Sequence, residues 1–102
     1  MAMTPEAKVK RKVAAVLKEC RAYYFYPATG GYGKSGVPDI VACYHGMFLG
    51  IECKAGDKTA TPLQQKNLDD ISKHGGLALV INENNIDEVR RYLIRIWQDA
   101  KR

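Results

Sequence analysis

The chain reads as an α/β protein with the element order α-β-β-β-α-β-α. Three observations carry that expectation. Thr4-Pro5 and Thr61-Pro62 each pair a helix cap with a proline, ahead of apolar residues at helical spacing. Two apolar runs, Asp39–Tyr44 and Met47–Cys53, are separated by His45-Gly46, as in a tight hairpin. Leu77–Ile81 is a short apolar run between a Gly75-Gly76 stop and a last amphipathic segment.

The first helix is expected from about Thr4 to Arg21. Thr4 caps it, Pro5 takes the first helical position, and Glu6 suits the positive end of the dipole. Val9, Val13, Val16, Leu17 and Cys20 form its apolar stripe, and Lys8, Lys10, Arg11, Lys12, Lys18 and Arg21 cover the rest. Glu6 lies three residues before Val9 and so extends the stripe at its outer end, an odd position for a purely solvated charge.

Ala22–Tyr26 reads as an aromatic strand. Ala28–Pro38, with Gly30, Gly31, Gly33 and Gly36, reads as a loop. In the second helix Thr61 caps, Pro62 follows, and Gln64 is placed for a capping box. Leu63, Leu68 and Ile71 are expected to point inward, and Gly75-Gly76 to end the helix. After the buried strand Leu77–Ile81, Asn85 is expected to cap the last helix, with Glu88 completing a second capping box. Its apolar face is Ile86, Val89, Leu93, Ile96, Trp97 and Ala100.

A length of 102 residues suits a single domain, 1–102, with a thin stability margin. Sixteen Lys and Arg against 11 Asp and Glu give a net charge of +5, which favours a polyanion partner, nucleic acid first. The three cysteines, Cys20, Cys43 and Cys53, lack metal-ligand spacing and occupy positions that read as core-facing. Buried free thiols in a reducing compartment are expected. No run approaches the roughly 18 apolar residues of a membrane span, and the first twelve residues lack a signal core. A cytoplasmic protein is expected.

The chemistry lies in the hairpin. With His45 and Gly46 as its turn residues, Asp39 falls directly opposite Glu52, and cross-strand partners share a face. Lys54, two residues on, joins them. Two opposed carboxylates need a compensator, either Lys54 or a divalent cation. Mg²⁺ takes oxygen ligands and binds through one or two carboxylates plus substrate phosphate. A lysine beside it can position or deprotonate the attacking water, or stabilise transition-state charge.

Gly36-Val37-Pro38-Asp39, then Ile51-Glu52-Cys53-Lys54, then Thr61-Pro62-Leu63-Gln64 resemble the VRR-NUC family of the PD-(D/E)XK superfamily. The resemblance spans nearly the whole chain, and at this size it is to a small stand-alone member of phage type. It implies a restriction-endonuclease-like αβββαβ core, a mixed central sheet flanked by helices, with an added C-terminal helix. It also implies Mg²⁺- or Mn²⁺-dependent hydrolysis of DNA phosphodiesters, in branched or structured DNA such as four-way junctions. The host would be a bacterial or phage-infected cell. By the resemblance Asp39 and Glu52 are metal ligands, Cys53 lends its backbone carbonyl, Lys54 is the catalytic lysine, and Glu6 is the first-helix acid. Gln64 is the glutamine of the second helix, with Gln65 adjoining it. The resemblance further implies a homodimer.

Other residues have plainer readings beside functional ones. Lys34 and Ser35 can contact phosphate from the glycine loop, or simply be solvated. Tyr32 is the candidate for base stacking. Lys8 and Lys12 offer a basic helix face to DNA. His45 reads as a turn residue and His74 as helix-end decoration. Tyr23–Tyr26 and the Trp97 stripe are either core or a dimer seam. Two alternatives stand beside an endonuclease: a nucleic-acid-binding module of this fold without catalysis, and a PD-(D/E)XK exonuclease or restriction-type enzyme.

Overall fold

The computed structural model describes residues 3–28 and 33–102. Its elements follow the expected order: α1 Pro5–Glu19, β1 Tyr23–Phe25, β2 Ile40–Tyr44, β3 Met47–Cys53, α2 Pro62–Lys73, β4 Leu77–Ile81 and α3 Asp87–Ala100. The strands form one sheet in the order β1-β2-β3-β4. β2 runs antiparallel to both of its neighbours, β1 and β3, and β4 joins β3 in parallel across α2. This is the mixed α/β sheet expected, C-terminal helix included.

The hairpin has the predicted register. His45 (φ 48°) and Gly46 (φ 84°) both occupy the left-handed region, as a two-residue type I′ turn requires. Ile40 pairs with Ile51 and Tyr44 with Met47. Alternation then divides the sheet. Ile40, Ala42, Leu49, Ile51, Cys53, Leu79 and Ile81 face α1 and α3, where Val9, Val13, Leu17, Val89 and Leu93 complete the core. An exposed Arg90–Glu19 ion pair of 2.8 Å also joins α3 to α1, a contact worth little in water.

The opposite face is covered in part. α2 lays Ile71 against Gly50 and Gly76, over β3 and β4. Among the described residues no helix covers β1 and β2 on this face, so Tyr23, Phe25 and Cys43 remain exposed, as does Phe48 at the start of β3. This corrects the expectation that every cysteine faces the core. Cys53 is buried and Cys20 half-buried, but Cys43 lies on the open face.

Both proline-started helices are capped as predicted. Thr4 Oγ1 accepts from the Ala7 N–H at 3.1 Å. Thr61 and Gln64 form the reciprocal box at 2.9 and 3.2 Å. Two expectations fail at the other ends of the packing. Leu63 is 48 % exposed rather than inward, because the first turn of α2 overhangs the loop before Asp39. Asn85 does not cap α3, whose cap position is Ile86 without a side-chain bond. The Asn85 amide oxygen accepts from the Asn82 N–H at 2.7 Å, and its nitrogen donates to Glu88 at 2.6 Å. A local turn has taken the cap. Trp97 is 42 % exposed and Ala100 is exposed, so the end of the α3 stripe is outside the core. Among the described residues no helix is long and apolar enough to cross a membrane.

Gly50 is the tightest backbone approach on the covered face. A Cβ there would lie 2.5 Å from Ile71 Cδ1 and 2.9 Å from Pro38 Cγ. Gly50→Ala is expected to destabilise the protein by about 1–3 kcal/mol, as overpacking does. Adding Ile71→Val, which removes the clashing Cδ1, should recover part of that loss. Denaturant midpoints of the single and double variants check it; no recovery would place the strain on Pro38 alone.

Candidate active site

Three carboxylates meet at the end of the hairpin. Oxygens of Glu6, Asp39 and Glu52 all lie within 4.8 Å of one another. Glu52 is there by register, on the face of β3 that alternates away from Ile51 and Cys53. Asp39 immediately precedes β2, and the Cys53 N–H donates to its Oδ2 at 2.9 Å. Glu6 enters from the first turn of α1 and is half-buried, as its place on the stripe suggested.

Glu52 is 1 % exposed, yet neither of its carboxylate oxygens has a hydrogen-bond partner among the described residues. Such a group is rare in a folded core, because removing an ionised carboxylate from water costs about several kcal/mol. Lys54, also buried, places Nζ 3.6 Å from Glu52 Oε2. That is an ion pair too long for a good hydrogen bond. Burial first, and then the negative charge of Asp39, push the Glu52 carboxyl from 4.5 up to about 7, against the opposing pull of Lys54. Burial and Asp39 likewise push the Cys53 thiol up to about 12. Cys53 is therefore a neutral thiol packed in the core, not a thiolate ligand.

The donor set is oxygen only, anionic, and short of partners on the buried side. These residues fit a hard divalent cation such as Mg²⁺ or Mn²⁺. They do not fit a soft metal.

The surroundings order the remaining candidates. Gln64 lines a cleft of about 400 Å³ with Asp39, Ser35 and Gly36. Its side-chain oxygen is held by the Thr61 N–H, so the amide –NH₂ is the half free to reach a ligand. Gln65 turns instead to Asp69 at 2.9 Å, so the glutamine in the cleft is Gln64. Lys34 lines a separate hollow over α2, with Phe48 and Asn67. Lys8 and Lys12 are exposed on α1 and line neither cleft beside Asp39. Tyr32 lies outside the described residues. His45 stacks edge-on against Tyr44, and His74 Nδ1 lies 2.8 Å from the Asp70 carbonyl; both keep their plain readings.

Two residues of the site were missed in the sequence. Lys10 lines both clefts beside Asp39; its signal was the four-residue step from Glu6, one helical turn. Asn67 is buried in α2 and donates to the carbonyls of Ser35 (3.2 Å) and Leu63 (3.0 Å). It fastens the loop that carries Asp39. Gly36, at φ 74°, fits beneath it, since a Cβ there would lie 2.6 Å from Leu63 Cγ and 3.0 Å from Asn67 Nδ2. The signal was a polar residue midway between Leu63 and Ile71 on one helical face.

A pH test follows from Glu52. The folded chain holds its proton up to about pH 7, whereas the unfolded chain releases it near 4.5. Raising the pH across that window favours unfolding. In EDTA, the melting temperature of wild type should therefore fall relative to Glu52→Gln between pH 5 and pH 8. A difference that stays constant with pH would contradict the raised pKa.

The fold has a known counterpart. A solved structure described as a VRR_NUC domain protein has the same fold, with a TM-score of 0.63 over 94 % of this chain and 93 % of that one, at 21 % identity. No curated protein matches the chain. The family model described as archaeal Holliday junction resolvase (Hjc) matches residues 6–82. Since that match runs from the first carboxylate of the cluster to the end of the sheet, the chain belongs to the archaeal Holliday junction resolvase (Hjc) family, within the PD-(D/E)XK fold that its motifs resemble.

Proposed function

We propose that this chain, as one nuclease domain over residues 1–102, hydrolyses phosphodiester bonds in branched DNA such as four-way junctions, with Mg²⁺ or Mn²⁺ as cofactor. The observation that carries the reading is the buried, unpartnered Glu52 carboxylate beside Asp39 and Glu6. A structural role would leave its oxygens hydrogen-bonded. A cation site leaves them open for the ion.

Asp39, Glu52 and Glu6 would hold the cation, with the Cys53 backbone carbonyl as a further ligand. Bound there, a divalent cation supplies charge neutralisation at the scissile phosphate and acidifies water. The chain's own groups do the positioning. The Cys53 N–H fixes the Asp39 carboxylate through its 2.9 Å bond, so that carboxylate is oriented before substrate arrives. Lys54 carries a buried ammonium beside Glu52. There it can orient the attacking water or stabilise charge on the phosphate oxygens as the P–O bond breaks. Gln64 offers its amide –NH₂ from the cleft wall. Lys34, Ser35, Tyr32, Lys8 and Lys12 are the candidate DNA contacts around this centre.

Paired incision of a symmetric branch needs two such sites at fixed separation, which a two-fold homodimer supplies most simply. The exposed Tyr23, Phe25 and Phe48 on the open sheet face, and Tyr92, Ile94 and Trp97 on α3, offer apolar area for that seam. Acting on DNA, the protein would work in the cytoplasm of a bacterial or phage-infected cell.

The test is cleavage of linear, flap and four-way-junction DNA with and without Mg²⁺ or Mn²⁺, on protein whose mass is measured by light scattering. Junction-selective, cation-dependent cutting is expected, by a species of twice the 11.4 kDa chain mass. Asp39→Asn and Glu52→Gln should abolish cutting while keeping the fold. Lys54→Ala should slow single-turnover cutting by roughly 10²–10³-fold with little loss of binding. Wild-type rates in either carboxamide variant would overturn the assignment, and a monomer with full activity on junctions would remove the paired-site arrangement.

A further inference from the structure

Two clefts meet at Asp39. The larger, about 680 Å³, runs between the first turn of α1 and the loop after β3 at Ala55 and Gly56. The smaller, about 400 Å³, runs between the Ser35–Pro38 turn and Gln64. Lys10 and Asp39 are the residues that line both. Lys10 stands one helical turn beyond Glu6 and is half-buried, whereas its neighbours Lys8 and Lys12 are exposed.

The Lys10 ammonium rests over an aromatic ring and has no carboxylate partner among the described residues. The ion pairs among the described residues are Lys54–Glu52 and Arg90–Glu19; Lys10 makes none, despite lying beside an acidic cluster. Its Nζ rests 4.7 Å from the centroid of the Tyr26 ring, within cation–π range. That ring is in turn braced edge-on against Tyr24 at 6.3 Å. A lysine kept off its nearest acids and steadied on a ring presents a fixed positive charge to whatever occupies the clefts.

A DNA strand laid across the three carboxylates carries a phosphate on each side of the one being cut. Those flanking phosphates meet the same negative cluster without a cation of their own. We propose that Lys10 binds the phosphate next to the scissile one, where the strand passes from one cleft to the other, and that Tyr26 is the positioning residue that aims it. The proposal rests on the nuclease reading above and deepens it: the strand runs along both clefts, with Asp39 and Lys10 on their shared wall.

The experiment measures four-way-junction binding in EDTA over a salt series, and single-turnover cutting in Mg²⁺, for wild type, Lys10→Ala, Lys10→Gln, Lys10→Arg, Tyr26→Phe and Tyr26→Leu. Lys10→Gln keeps much of the aliphatic stem, so a packing defect in Lys10→Ala does not decide the result. Loss of the charge is expected to weaken binding by about ten-fold and to lower the salt slope by about one unit, with the saturating rate within about two-fold of wild type. Lys10→Arg should restore the slope. Tyr26→Phe should behave as wild type, and Tyr26→Leu should weaken binding while retaining the slope, because the charge remains but is no longer aimed. An unchanged salt slope in both Lys10→Ala and Lys10→Gln overturns the proposal. A lost saturating rate with unaltered binding also overturns it, since Lys10 would then act in the chemistry. A wild type that neither binds nor cuts any junction removes the nuclease reading, and this inference with it.

Discussion

The structure is organised around one unfavourable placement: a carboxylate, Glu52, on a strand of the core with no hydrogen bond to either oxygen among the described residues. A charge taken out of water at that depth needs a counter-charge, a proton or a bound cation. The chain supplies each in part. Lys54 stands 3.6 Å away, too far to satisfy the oxygens, and the carboxyl retains its proton to about pH 7. The third means lies in Asp39 and Glu6, which bring two more carboxylates against the first. Without a cation the three destabilise one another; with one they would become ligands. Binding to the folded state alone would stabilise the fold by mass action and displace the proton from Glu52.

Much of the local architecture serves that placement. The type I′ turn at His45-Gly46 sets the register that brings Asp39 opposite Glu52. Gly50 leaves room for the Pro38 ring on the strand, and Pro38 leads directly into Asp39. Asn67 and Gly36 fasten the preceding loop to α2, and the Cys53 N–H fixes the carboxylate itself. Four separate contacts, from β3 and α2, hold one aspartate and the loop that leads to it. In a chain this short they also draw on the same small core, since Gly50, Ile71 and Pro38 pack together. Site geometry and stability are therefore difficult to alter separately.

The centre of the site was legible in the sequence because strand pairing is arithmetic. A two-residue turn determines every cross-strand partner, so Asp39, Glu52 and Lys54 fell on one face without any tertiary information. The caps at Thr4 and Thr61 were legible for a similar reason: each bond closes within four residues. What escaped depends on coverage and on competition between neighbours. Cys43 sits at a core-like position, but α2 covers β3 and β4 and stops short of β2, and a strand's own pattern does not say how far a helix reaches. Asn85 carries the right side chain for a cap, yet the Asn82 N–H claims its oxygen first. Lys10 looked like one basic residue among five on α1. Its distinction lies in two clefts formed by segments distant in sequence, together with a ring sixteen residues on.

The central claim is that the three carboxylates form a cation site, and the most direct measurement locates the ion. Crystals soaked in Mn²⁺ at a concentration that supports cutting, with anomalous difference maps recorded at the manganese edge, would show where it sits. The account predicts a peak between Asp39 and Glu52, at about 2.0–2.2 Å from a carboxylate oxygen of each, with Lys54 adjacent and uncoordinated. No peak at that position, with Lys54 instead closed into hydrogen-bonding contact with Glu52, would contradict it.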